Sequence, residues 1–334
     1  MDCKQSHLLS VVVTCYNGQK FLPTFFNCLE QQVYKNTQII FVNDGSTDNS
    51  FSIIKNYCQN HSNAIYVDSV NQGVASAKDK GLVLACGDFV TFCDVDDLIH
   101  PEHFSTLVEL AVQNQADMAV LGCKHITPKQ ALNFKYKKLK INKNKIQTFN
   151  TEQAFDQYFS QSKLDYILVN KIFSLQVVKQ SGARFLEGTM YGEESFFAYH
   201  FLKCAKKTVY INLPTYFYVQ WKTSLMHTGF NERRLDLYKN INYILEDCTK
   251  TFSNHSHYIN SMRSGYTCGL LWFMKKSKFN NAQLIKQSIS YLQEDCKYLK
   301  KCKKTAFYKR AFIPVVVPLA KLLFKNQIKN IKER

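Results

Sequence analysis

Strand-type and helix-type stretches alternate along the first third of the chain, and this alternation restricts the fold more than any single motif does. LLSVVVT (8–14), QIIFVN (38–43), AIYVD (64–68), DFVTFCD (88–94) and DMAVLG (117–122) are short, β-branched and apolar. Between them lie stretches of helical spacing. Phe21, Phe25 and Leu29 follow the first loop at i, i+4 and i+8, and 49–60, 74–86 and 102–115 follow, the last with Pro101 at its start. Strand, helix and strand repeated over some 120 residues predict an α/β fold, a mostly parallel sheet with helices on both faces. Ligands in such sheets bind beyond the carboxyl ends of the strands. TCYNG (14–18), VNDGSTD (42–48) and DVDD (94–97) each follow a predicted strand, so all three belong on one rim.

Each cluster, read alone, has two readings. Asp94, Asp96 and Asp97 end a greasy strand in a chain whose formal net charge is +17. Carboxylates two apart are hard oxygen ligands for Mg²⁺ or Mn²⁺, and such a cation binds a diphosphate, but the same residues also suit the N-terminus of the following helix. Asp44-Gly45 makes a turn with helix-capping residues after it, or places an acceptor for a ligand such as the imide of a uracil ring. Tyr16 either packs or stacks on a base.

The runs SVVVTCYNGQKFL, VNDGSTDNS and NQGVASAKDKGLVLACGDFVTFCDVDD, in this order and spacing, resemble the N-terminal half of family 2 glycosyltransferases of the GT-A fold. The resemblance implies transfer of a sugar from a nucleotide diphosphate donor, a UDP-sugar among them, with inversion. It implies that Thr14, Tyr16, Asn17, Asp44, Lys78 and Asp94 bind the nucleotide, and that Asp96, with Asp94, holds Mn²⁺ or Mg²⁺. Where the family has SxARNxG, residues 75–81 read ASAKDKG, so Lys78 replaces the arginine and Asp79 the asparagine. Lysine keeps the charge and loses the bidentate fork. Farther on, RFLEGTMYGEESFFAYHFLKC resembles the family's segment in which an acidic pair precedes an apolar helix. That pair is usually Glu-Asp, whereas here it is Glu193-Glu194, which makes Glu194 the aligned general base. NKIF (170–173) echoes the family too, and His227 is a further candidate for metal or diphosphate.

The expected organisation is a catalytic domain over 1–227, with nucleotide-sugar binding in 8–125 and an acceptor and base region in 151–227. A helical, basic region follows over 228–334. Residues 129–150 hold seven lysines and no acid, and they read as an exposed loop; KTVYINLPTYFYVQ reads as a strand pair. From Lys297 to Arg334 there are 12 basic residues against the single Glu333. There Lys321, Lys325 and Lys329 form a stripe beside Leu322, Leu323, Phe324 and Ile328, which suits an anionic membrane surface as well as a packed helix. The 12 cysteines are scattered without a CxxC pair, and no apolar run is long enough to span a bilayer, so the expected location is cytoplasmic and peripheral to the inner face of the membrane. The expected acceptor is a glycan or lipid-linked molecule of the bacterial cell surface. Two rivals differ in chemistry. A nucleic-acid-binding protein accounts for the charge but not for an acidic rim, which repels phosphates. A metal-dependent nucleotidyltransferase or sugar pyrophosphorylase accounts for the rim, and would release pyrophosphate instead of a nucleoside diphosphate.

Overall fold

The computed structural model describes residues 7–160, 162–221, 230–301 and 317–325, and the chain divides into two compact units, Met1–Ser224 and Leu225–Arg334. His227 and the part of the lysine stripe beyond residue 325 lie outside the described residues.

In the first unit the elements run β1 (Leu9–Cys15), α1 (Leu22–Glu30), β2 (Thr37–Asp44), α2 (Ser50–Asn60), β3 (Ala64–Ser69), α3 (Val74–Leu84), β4 (Phe89–Asp94), β5 (Leu98–Ile99), α4 (His103–Asn114) and β6 (Met118–Ile126). They continue through α5 (Pro128–Leu132), β7 (Gln147–Asn150), α6 (Thr151–Phe159), β8 (Lys171–Ser174), α7 (Leu175–Ser181), α8 (Glu193–Cys204) and β9 (Lys207–Val219). The sheet order is β3-β2-β1-β4-β8-β6-β9-β5, with β7 on β9. Pairing is parallel through β3, β2, β1 and β4 and between β6 and β9, and antiparallel where β8, β5 and β7 join. The strands β1 and β2 are covered on both faces, which is why they read as unbroken apolar runs.

The chain builds outward from β1 through β2 to β3, then returns to place β4 on the other side of β1. That reversal between β1 and β4 is the switch point at which open α/β sheets form a crevice. Thr14 and Asp94 sit opposite each other there in the register. Helix α3 lies close against the neighbouring strands: a Cβ on Gly81 would come within 2.4 Å of Val12, so only glycine permits this approach. The same close packing buries Lys78, one turn earlier on that helix.

Two expectations about the middle of the chain need correction. KTVYINLPTYFYVQ is one long strand, β9, whose two halves are offset by an irregularity opposite Gly122. The offset keeps both halves on the sheet despite Pro214, so no turn is needed. The lysine-rich segment is not a simple loop. It carries α5, a single 3₁₀ turn over Lys143–Lys145 and β7, and its Phe134, Tyr136 and Ile146 pack on the main core. Lysines there can extend their charged ends into solvent while the interspersed aromatics anchor the backbone.

The second unit consists of α9 (Asp236–Thr251), α10 (Ser256–Lys276) and α11 (Ala282–Lys301), with helical residues at 317–323. Its core joins Leu271 and Met274 of α10 to Ile285, Ile289 and Leu292 of α11, and Ala320 and Phe324 complete it.

Candidate active site

Four polar loops meet at the carboxyl rim of the first unit, and two of them are tied into one scaffold. Ser46 Oγ accepts from Asn17 N–H at 2.9 Å, and Asn17 Oδ1 accepts from Thr47 N–H at 2.8 Å. Asp48 Oδ2 accepts from Gln19 N–H at 3.1 Å, and Gln19 Oε1 accepts from Asn49 N–H at 2.8 Å. Ser50 Oγ closes the set by accepting from Gly18 N–H at 2.8 Å. Asn17 adopts φ 51°, a left-handed conformation that asparagine tolerates better than most residues. Most polar letters of TCYNG and STDNS are therefore employed in holding these loops to each other. Tyr16 is left 54% exposed at the rim, with its ring available to a flat ligand.

Asp44 is buried, and its two oxygens each accept from a backbone amide of the next loop: Oδ1 from Gln72 and Oδ2 from Gly73, both at 2.9 Å. Gly73 has φ 93°, and a Cβ there would sit 3.3 Å from Met190, so this loop is held between Asp44 and the segment that leads into α8. Beside Asp44, Asn43 Nδ2 donates to Asp68 Oδ1 at 2.7 Å, at the ends of β2 and β3. The sequence reading passed over Asp68, although it is the last letter of AIYVD and so sits on the rim by the same rule that found Asp44 and Asp94.

Across the switch point the carboxylates accumulate. Burial raises the Asp94 carboxyl above its ordinary range; Lys78 pulls it down, Glu194 pushes it up, and a hydrogen bond from Thr14 lowers it. Burial and the neighbouring Asp94 push Asp96 up to about 7, with Lys20 opposing. Indole Nε1 of Trp221 donates to the Asp96 carbonyl at 3.0 Å, and Lys20 lies 4.5 Å over the Phe21 ring and 5.5 Å over Trp221. Lys20, Phe21 and Trp221 were not among the expected site residues, though QKFL and the start of WKTSLM flank two of the motifs. Asp97 differs from its neighbours. It is fully buried, accepts from Val219 N–H at 2.8 Å, and ties the end of β4 to β9. Burial, then Asp96 and Asp94, raise it well above the carboxylate range.

The acidic pair begins α8, where the positive end of the helix dipole favours carboxylates. Lys78 Nζ donates to Glu194 Oε1 at 2.7 Å and to Glu193 Oε1 at 3.3 Å. Burial works against the ammonium, but Glu194, Glu193 and Asp94 together hold its pKa above the ordinary lysine range. Asp79, the other departure from the family pattern, has a matching partner: Arg184 donates to it in bidentate fashion, at 2.6 Å and 3.2 Å. Of the two unusual residues of α3, Lys78 thus pairs with the start of α8 and Asp79 with the segment between α7 and α8. Thr14, Lys78, Asp94, Glu193 and Glu194 form one connected group, with Asp96 next to Asp94; Asp44, Asn17 and Tyr16 line the β1–β2 side.

Asp94 and Asp96 offer hard oxygen donors at one strand end, and no group of three His, Cys, Asp or Glu side chains suited to a metal occurs among the described residues. A pair of carboxylates of this kind fits Mg²⁺ or Mn²⁺, which completes its shell with water and substrate phosphates.

Residues 10–180 match the model of the family described as "Glycosyl transferase family 2". Among curated relatives, glycosyltransferase GlyG of Streptococcus pneumoniae is 31% identical over 68% of this chain and 75% of its own length. Glycosyltransferase GlyA of the same organism is 28% identical over 71% of this chain, and the match spans only 36% of GlyA. Among solved structures, S. aureus TarS 1–349 in complex with UDP-GlcNAc shares the fold at TM-score 0.66 and 17% identity, covering 97% of this chain and 90% of that one.

Proposed function

The chain belongs to glycosyltransferase family 2, and from that premise we propose that it moves a sugar from a nucleotide diphosphate donor, of the UDP-sugar class, to a hydroxyl of a glycan or lipid-linked acceptor with inversion. The observation that carries the reading is the meeting of Asp94 and Asp96 at the switch point with the Lys78–Glu193–Glu194 cluster from α3 and α8. TarS, of the same fold, is a protein that binds UDP-GlcNAc, which supports the donor class.

In this reading Tyr16 stacks on the base, and the loops fixed by Asn17 and Asp44 present their backbone to the nucleoside. Asp94 and Asp96 would hold the divalent cation, which when bound would offset the charge of the diphosphate. Glu194 accepts the proton of the acceptor hydroxyl as that oxygen attacks the anomeric carbon from the face opposite the leaving group. One displacement of this kind inverts the centre.

A thermal-shift screen of nucleotide sugars with Mn²⁺ tests the whole reading. Selective stabilisation by one donor, with nucleoside diphosphate as product on turnover, is expected. No shift with any donor, or release of pyrophosphate, contradicts it.

The second unit supports placement of the enzyme at an anionic membrane surface. In residues 317–325, Ala320 and Phe324 face the unit's own core, while Leu319, Leu322 and Leu323 are exposed among Lys321 and Lys325. No helix among the described residues is long and apolar enough to cross a membrane, so binding would be interfacial. Cosedimentation with phosphatidylglycerol vesicles, lost in Leu322→Asp/Leu323→Asp, is the expected result, and equal binding by that variant counts against it.

A further inference from the structure

Lys78 stands where the family's arginine implies a contact with the donor, yet its ammonium faces α8. Two of its three N–H donors are engaged by Glu194 at 2.7 Å and Glu193 at 3.3 Å. Its side chain is 4% exposed, and that of Glu193 10%, while that of Glu194 is 22% exposed and opens toward solvent. A lysine this deep exists only because carboxylates accompany it, since an unpaired buried ammonium is strongly unfavourable.

The surroundings hold it there. Close contact at Gly81 seats α3 on the sheet, and the Asp79–Arg184 pair ties the same helix turn to the segment before α8. Phe185, next to Arg184, stacks on Phe197 of α8 at 4.9 Å and lies 5.8 Å from the Lys78 ammonium. These contacts fix the distance between α3 and α8, and with it the approach of Lys78 to both glutamates.

We propose that Lys78 and Glu193 form a positioning pair for Glu194: Lys78 orients the Glu194 carboxylate, and Glu193 supplies the counter-charge that remains once Glu194 is neutralised. The inference rests on Glu194 being the base. In the transfer step the acceptor O–H bond breaks and its proton goes to Glu194. The oxygen's electron pair forms the new bond to the anomeric carbon, and the bond to the phosphate oxygen breaks with its pair on the nucleoside diphosphate. At that moment Glu194, the nearest anion to the Lys78 ammonium, loses its charge, and Glu193 is the carboxylate still bonded to it, with Asp94 acting from farther off. With both glutamates present the ammonium passes from shared to single pairing and stays compensated. Two adjacent glutamates, only one of them opening to solvent, have distinct functions on this account.

The test separates chemistry from donor binding. UDP binding in the presence of Mn²⁺ is measured by calorimetry, and kcat at saturating donor and acceptor, for wild type, Glu193→Gln, Lys78→Met and Lys78→Arg. Glu193→Gln and Lys78→Met should each lower kcat by ~10²-fold, the lower range of general-base effects, with the UDP Kd within about threefold of wild type. Lys78→Arg should restore most of the rate. A tenfold or greater weakening of UDP binding by Lys78→Met with kcat retained would overturn the inference and return Lys78 to the diphosphate. Unchanged kcat in Glu193→Gln would also overturn it. If Lys78→Met does not fold, Glu193→Gln and Lys78→Arg still decide. A wild-type protein that binds no nucleotide would instead remove the functional reading on which the pair depends.

Discussion

In the second unit Arg263 of α10 is buried and donates to Asp295 through Nε and Nη2, at 2.8–3.2 Å, to Glu294 at 3.0 Å and to Asn242 at 2.9 Å, so all three of its guanidinium nitrogens are engaged. At the rim of the first unit Asp94, Glu193 and Glu194 surround the buried cation Lys78, and Asp96 adds a further carboxylate beside Asp94. Both clusters place charge out of water, but the helical cluster matches donors to acceptors and the rim leaves an excess of negative charge. Burying charge without balance is unfavourable unless something arrives to balance it. On the proposed function, the contrast separates a group that holds helices together from one that would receive a cation and a proton.

Removing single members of each cluster should expose that difference. The largest effect is expected at the rim: Asp96→Ala should lower transfer by on the order of 10³-fold, and Glu194→Gln by ~10²–10⁴-fold, measured as product release at saturating donor. Neither should lower the thermal midpoint, because each removes charge from an over-supplied site. Arg263→Ala should do the reverse in kind, destabilising the second unit by about 3–5 kcal/mol in urea unfolding, because it strands Asp295. Replacing Arg263 and Asp295 together by methionines should recover most of that loss.

A smaller effect concerns pH. Asp96 is raised to about 7, so below that value a proton competes with the cation for its oxygens. Mn²⁺ binding in the presence of UDP should therefore weaken as pH falls through 7, by at most about tenfold per pH unit, and level off above it. Asp96→Asn should reduce the pH dependence near 7 along with most of the affinity. The smallest effect belongs to the exposed pair: Asp79→Ala should change stability by about 0–1 kcal/mol, as surface ion pairs do. A loss several times larger would show that the pair holds α3 more firmly than its exposure implies.

The parallel strands and their helices were legible because buried strands and amphipathic helices announce themselves by period; β1 to β4 differ from the predicted runs only at their ends. The rim followed from one rule about strand ends. KTVYINLPTYFYVQ misled because a proline inside an apolar run signals a turn, and only pairing with both β6 and β7 reveals a single strand. Helical spacing alone would put Cys204 on the apolar face of α8 with Phe197 and Phe201; the two phenylalanines are buried and the cysteine is exposed, since the last turn of the helix leaves the core. Lys78 with its glutamates could not be read from sequence. The partners are 115 and 116 residues apart, and a lysine on a helix gives no sign of which side is buried. Family resemblance named the acidic pair, but its attachment to α3 is a matter of three dimensions.

The loop held by Asp44 has a kinetic consequence. With the amides of Gln72 and Gly73 bonded to a buried carboxylate, that stretch of the rim is held by the protein's own hydrogen bonds and needs no ligand to order it. Nucleotide association then requires no ordering of this loop, and its rate should follow diffusion and charge steering, with little curvature in observed rate against ligand concentration. Asp44→Ala would free both amides, and a saturating, slower association phase should emerge even if the final complex were unaltered.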